Sequence, residues 1–176
     1  LRNGACVYEP CFKGGGVYGG KMTDDKIIIL MICTGNTCRS PMAAAFLQKM
    51  LDEKHINAKV LSAGLGFPGE PVSKNAVLAA KKYGCDISGH VSQTAEALIL
   101  NAADVILTMQ DAHKQVIELS YIPAREKTFT LYEYAGLEGD VFDPYGGDEA
   151  DYEKCAAEIY SLCAKIADRI EEDLNK

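Results

Sequence analysis

No run of about 18 apolar residues occurs in the chain, so no segment is expected to cross a membrane as a helix. Clusters of Lys and Arg are also missing. Eighteen basic residues face 25 acidic ones, a net charge of −7. That balance argues against non-specific binding to nucleic acid or to an anionic membrane surface. The first 21 residues lack the continuous apolar stretch of a secretory signal. Cysteine is sparse and odd in number, with seven among 176 residues, too few for a disulfide scaffold. The expectation is a cytoplasmic protein with free thiols, monomeric by default. Cys6 and Cys11 have no second pair at finger-like spacing, so no metal and no cofactor is expected.

What is present is enough apolar material for one domain: 48% of the residues are hydrophobic. Residues 1–21 stand apart. They hold six of the sixteen glycines and three basic residues against one acidic. They read as a flexible Gly-rich leader ahead of a domain at 22–176. Within that domain strands and helices alternate. Lys26–Cys33 is a continuous apolar strand, and Pro41–Glu53 reads as a helix with proline in its first turn. Ala58–Ala63 is a second strand. A helix capped by Ser73 runs to Tyr83 and stops at Gly84. Another opens at Thr94 and ends near Asn101. Asp104–Thr108 is a third strand, Asp111–Leu119 a helix, and Lys127–Leu131 a short fourth strand. The last helix, Asp148–Leu174, carries apolar residues at Tyr152, Cys155, Ile159, Leu162, Ile166 and Ile170, steps of three or four that make one buried face. Such alternation predicts an α/β fold, a parallel sheet with helices on both faces.

The chemistry concentrates in Cys33-Thr34-Gly35-Asn36-Thr37-Cys38-Arg39-Ser40-Pro41. In an open α/β sheet, ligands bind at the carboxyl ends of strands. A loop of this length leading into a helix N-terminus can aim several backbone N–H groups at one anion. Gly35 permits close backbone approach, and Asn36 tolerates a left-handed conformation. Arg39 offers a planar fork for two phosphate oxygens. At the base of this cradle Cys33 is expected as a thiolate nucleophile, with Ser40 hydrogen-bonded to its sulfur. The plainer reading of Cys-x5-Arg is a buried strand-end cysteine and a salt-bridging arginine. The fit of Gly, Asn, Ser and Pro at their places weighs against it. Asp143, in a loop before Pro144, is the candidate proton donor to a leaving group. Taken by itself, Asp-Pro-x-Gly-Gly is also ordinary turn chemistry.

The loop from Ile32 to Pro41 resembles the phosphate loop of the low-molecular-weight protein phosphatases, and Asp143-Pro144-Tyr145 resembles their second motif. The resemblance covers all but the leader. It implies a four-stranded sheet in the order 2-1-3-4 and a metal-free mechanism through a phosphocysteine. It makes Cys33, Arg39 and Asp143 the catalytic residues, and Thr34, Gly35, Asn36, Thr37, Cys38 and Ser40 the rest of the phosphate-binding loop. Ser62 matches a serine that supports the loop, and His90 a histidine that bonds to its asparagine. Cys38 matches a cysteine that can pair reversibly with the nucleophile. Met109-Gln110 stands where many members carry Met-Asp, which leaves the acidic contact to the loop without its residue.

Substrate choice turns on Thr37, where phosphotyrosine enzymes of the family usually carry a bulky aliphatic residue. With Asp143-Pro144-Tyr145-Gly146-Gly147, it makes the chain look like the bacterial protein arginine phosphatases. Tyr145 can stack on a guanidinium or on a tyrosyl ring. The expected partners are phosphorylated proteins, with phosphotyrosine as the alternative to phosphoarginine. Arsenate reduction needs a relaying cysteine pair, and only Cys85 stands in the expected region. A non-catalytic phosphoprotein-binding module would more naturally have lost Cys33 or Asp143. His55 and His113 read as surface residues of helices.

Overall fold

A computed structural model describes residues 26–175 and the two-residue segment Cys6–Val7. Residues 1–5, 8–25 and 176 lie outside the described residues, and with them most of the leader expected at 1–21, Cys11 included. Four strands form the main sheet: β1 (Ile27–Cys33), β2 (Ala58–Gly64), β3 (Val105–Thr108) and β4 (Thr128–Thr130). All pairings are parallel and the spatial order is β2-β1-β3-β4. Counting these strands alone, that is 2-1-3-4. It becomes 2-1-4-5 if the two-residue strand Cys85–Asp86 is also counted. That strand pairs instead with Cys6–Val7.

Seven helical segments accompany the sheet among the described residues: α1 (Arg39–Glu53), α2 (Lys74–Lys81), α3 (Ala97–Ala102), α4 (Asp111–Ser120), a 3-10 turn at Ile122–Lys127, α5 (Leu131–Tyr134) and α6 (Glu149–Leu174). Side chains alternate across β1, so two cores form. Ile29, Met31 and Cys33 face a layer that includes Met42, Phe46 and Leu47 of α1 and Ile159 and Ile166 of α6. Leu30 and Ile32 face Ile99 of α3 and Ile117 of α4. Helices therefore cover both faces. None of the described helices is long and apolar enough to cross a membrane.

Local chemistry accounts for the departures from the sequence reading. α1 starts at Arg39, two residues before Pro41, after a non-helical Cys38. α3 starts at Ala97 after an extended Glu96 that makes no side-chain cap, while the Thr94 hydroxyl donates to the Gly66 carbonyl (2.9 Å). Ser73 makes no side-chain cap either. Its backbone N–H holds the Thr37 carbonyl (2.9 Å). β4 ends at Thr130 because Thr130 and Glu133 form a capping box that opens α5. His55 lies beyond α1, exposed and left-handed (φ 57°).

The register decides where the site falls. Cys33 pairs with Gly64, and Ile32 pairs with Thr108. The carboxyl ends of β1, β2 and β3 thus lie level. The loops that follow them meet at one edge of the sheet.

Candidate active site

Cys33 is the last residue of β1, and α1 begins six residues later, so the intervening loop must turn tightly. Asn36 makes that turn in a left-handed conformation (φ 54°). Its contacts hold the loop in shape. Its N–H donates to Cys33 Sγ (3.2 Å), and its Nδ2 donates to Ser40 Oγ and Ser62 Oγ (both 2.9 Å). Gln93 donates its backbone N–H to Asn36 Oδ1 (3.0 Å), and His90 donates from Nε2 to the Asn36 carbonyl (2.8 Å). Asn36 is fully buried, so these bonds form away from competing water. Burial pushes the His90 imidazole below its ordinary value, which suits a neutral ring donating to a carbonyl.

Ser40 Oγ lies 3.0 Å from Cys33 Sγ. Its oxygen accepts from Asn36, and its proton has two acceptors in reach, the sulfur and, at 3.5 Å, the Ala63 carbonyl. The close approach of chain to chain occurs at Gly64, not at Gly35. A Cβ on Gly64 would stand 2.8 Å from the Thr34 carbonyl oxygen, whereas one on Gly35 would make only ordinary contact.

Arg39 is buried (3% exposed), and its Nη2 donates to Asp143 Oδ2 at 2.7 Å. Its Nη1 is buried with no hydrogen-bond partner among the described residues. Asp143 is half-exposed, and its Oδ1 accepts the Tyr145 N–H (3.2 Å), which fixes the carboxylate over the arginine. A cleft of about 470 Å³ opens here, lined by every residue from Cys33 to Arg39 except Asn36, together with Phe67, Glu70, Asp143 and Tyr145. Phe67 and Tyr145 are strongly exposed aromatics at its rim. On the far side of the loop, Cys38 Sγ lies 3.3 Å from the Tyr152 hydroxyl. Burial, together with the Cys38 contact, pushes that phenol up to about 12, so it stays protonated.

The structure thus brings together Cys33, the loop through Ser40, Arg39, Asp143, Ser62, His90 and Tyr145. It also contains residues that the sequence reading missed. His113 is not a surface residue: it is buried, and its Nε2 lies 2.8 Å from Thr34 Oγ1. It supplies a contact to the loop from the segment where Met109-Gln110 had left none. The signal was its place in the first turn of the helix after β3, at the sheet's carboxyl edge. Phe67 and Glu70 follow β2 at the same edge. Gln93 carried no signal, because its bonds to Asn36 Oδ1 and to the Ser62 and Gly64 backbone arise from tertiary contact. No group of His, Cys, Asp and Glu that could hold a metal occurs among the described residues.

This fold, with a strand-end cysteine inside a phosphate-sized loop, an arginine and an opposed aspartate, defines a cysteine-dependent phosphatase of low molecular weight. The chain belongs to that family: the model of low molecular weight phosphotyrosine protein phosphatases matches residues 28–176. It is 36% identical over 147 residues to a protein-arginine-phosphatase of Bacillus subtilis, covering 82% of this chain and 97% of that protein. It is also 36% identical over 138 residues to the low molecular weight protein-tyrosine-phosphatase PtpB of Staphylococcus epidermidis, covering 78% and 95%. Among solved structures it is similar to a cysteine-to-serine variant of the YwlE arginine phosphatase with a phosphorylated active-site serine. That match has a TM-score of 0.80 and 35% identity, and covers 84% of this chain and 97% of the other. A tyrosine phosphatase of the family from T. tengcongensis matches with a TM-score of 0.78 and 38% identity, covering 82% and 99%. The chain is a phosphatase, a hydrolase of phosphoprotein. Arsenate reduction finds no support. Cys85 is buried against the Ala45 carbonyl, and Cys155 and Cys163 are also buried, on α6.

Proposed function

We propose that this chain is a protein arginine phosphatase that works through a phosphocysteine. The observation that carries the substrate assignment is the lining of the cleft. Thr34, Thr37, Glu70 and Asp143 border the space beside Cys33. Hydroxyls and carboxylates suit the N–H groups and positive charge of a guanidinium better than they suit a phenyl ring. Similarity to a protein named as an arginine phosphatase supports the same reading.

In the first step Cys33 Sγ attacks phosphorus as the bond from phosphorus to the leaving nitrogen breaks. Asp143 gives its proton to that nitrogen. Arg39 Nη1, which has no protein partner among the described residues, takes a phosphoryl oxygen, and the loop N–H groups take the others. In the second step a water attacks the phosphocysteine, Asp143 accepts the water's proton, the S–P bond breaks, and inorganic phosphate leaves. The Arg39–Asp143 contact holds the carboxyl over the phosphoryl site. A phosphoryl oxygen that takes Arg39 Nη2 displaces Asp143 Oδ2, which frees the carboxyl to carry the proton in line with the leaving nitrogen.

Phosphate release from matched phosphoarginine- and phosphotyrosine-labelled proteins tests the assignment, with Cys33→Ser as the inactive control. Preference for phosphoarginine is the expected result, and Thr37→Ile should then shift activity toward phosphotyrosine. The exposed rim aromatics Phe67 and Tyr145 favour the second reading, a tyrosine phosphatase with the same two steps. A phosphotyrosine preference in the unmodified protein would establish it.

A further inference from the structure

His113 is a buried titratable side chain that the two-step mechanism does not use. It stands in the first turn of α4, 5% exposed, with Nε2 at 2.8 Å from Thr34 Oγ1. Its Nδ1 is buried and without a hydrogen-bond partner among the described residues. Thr34, by contrast, is exposed and lines the cleft directly after Cys33.

The two ring nitrogens can share one proton in two ways. If Nδ1 carried it, a buried N–H would be left without an acceptor, and Thr34 would spend its own proton on Nε2. If Nε2 carries it, the ring donates to Thr34 Oγ1, and Nδ1 keeps only an unused lone pair. Buried unpaired N–H groups are rarer than buried under-used acceptors. The second arrangement is therefore the favoured one. Burial and the nearby Arg39 charge hold the imidazole below its ordinary value against the opposing pull of Asp143 and Asp140. The ring is thus neutral near pH 7, with one proton to place.

Resting on the phosphoarginine reading, we infer that His113 is a positioning residue for substrate selection: Nε2–H holds Thr34 Oγ1 so that the threonine meets the substrate with a free O–H and a free lone pair. Beside the nucleophile this forms a polar wall able to accept a guanidinium N–H. A phenolic leaving group has no N–H for it to accept. The pair also spans 79 positions in the chain, so the wall exists only when α4 is docked against the phosphate loop.

The test compares kcat/KM on phosphoarginine- and phosphotyrosine-labelled protein for Thr34→Val, His113→Leu and the double variant. Each single change is expected to lower the phosphoarginine value about 10- to 100-fold, the worth of one hydrogen bond to a charged group. The phosphotyrosine value should change far less, and the double variant should lose no more than either single one. His113→Gln, whose amide nitrogen reaches the Nε2 position, should keep the selectivity. His113→Asn, which is too short, should lose it. Equal losses on both substrates would reduce His113 to a structural residue, and losses that multiply in the double variant would show that it does not act through Thr34. If His113→Leu does not fold, the Gln and Asn variants decide the matter by their ratio of the two activities. If the unmodified protein prefers phosphotyrosine, the functional reading fails separately. The cycle measured on that substrate still shows whether His113 acts through Thr34.

Discussion

Asn36 makes more contacts in the phosphate loop than the nucleophile does. Five hydrogen bonds join it to Cys33, Ser40, Ser62, His90 and Gln93. An alanine there would keep its backbone bonds but lose its side-chain ones. It would leave the Gln93 N–H without its acceptor, at about 1–3 kcal/mol for an unsatisfied group, and would remove one hydrogen bond from each of the Ser40 and Ser62 hydroxyls. Asn36→Ala is expected to lower thermal stability and to weaken phosphate binding, measured as competitive inhibition by inorganic phosphate. Gly64→Ala acts on the same loop from the neighbouring strand. Its Cβ would press on the Thr34 carbonyl at 2.8 Å and on Asn36 at 3.0 Å. Neither neighbour is a flexible side-chain end, so the loop must move. A loss of about 1–3 kcal/mol is expected from urea unfolding, together with a fall in turnover. Asp143→Ala should separate chemistry from binding. Turnover should fall about 100- to 10,000-fold with the proton donor gone, while phosphate inhibition persists through Arg39.

Elements matter here for where they end. β1 stops at Cys33 and α1 starts at Arg39, so the proposed nucleophile and the proposed phosphate-binding arginine sit on the two rigid boundaries of one loop. α6 runs along the same core and sets Tyr152 against Cys38. Its start is held by a capping box between Asp148 and Asp151. Asp148→Ala is expected to cost about 1 kcal/mol by loss of that cap. Because α6 is also held by its buried face, turnover at 25 °C should be unaffected while the unfolding midpoint falls. A drop in turnover with unchanged stability would show that the cap instead positions the Asp143 loop just ahead of it.

At the scale of the whole molecule, two buried histidines tie the site to the stability of the fold. Burial lowers both His90 and His113 in the folded protein, against an ordinary value of 6.5. On acidification the unfolded chain therefore takes up protons before the folded one does. Their contribution to stability is complete above about pH 6.5 and is lost as pH falls through the lowered folded-state values. Urea unfolding followed from pH 8 to pH 5 should show stability declining on the acid side. The slope should be shallower in a His90→Gln, His113→Gln double variant. An unchanged slope would mean that neither ring resists protonation in the folded protein.

Features that depend on contiguous residues were legible in the chain. The four main strands, the six apolar positions on α6 and the Cys33–Arg39 loop follow from periodicities and spacings that local geometry imposes. So did the order of the sheet, once the loop had pointed to its family. Start and stop positions were less legible. The hydroxyls of Thr94 and Thr130 choose their partners from what lies near them in space or three residues on, as the Gly66 carbonyl and Glu133 show. By itself the sequence determined a parallel α/β domain with a phosphate loop at a strand end. Only the tertiary structure decided that His113 is buried against Thr34, that Gln93 holds Asn36, that Gly64 must lack a side chain, and that Phe67 and Glu70 line the same cleft as Cys33. Those relations join residues tens of positions apart through the level ends of parallel strands. Contacts of that kind depend on how the strands and helices pack, and no local pattern in the sequence encodes them.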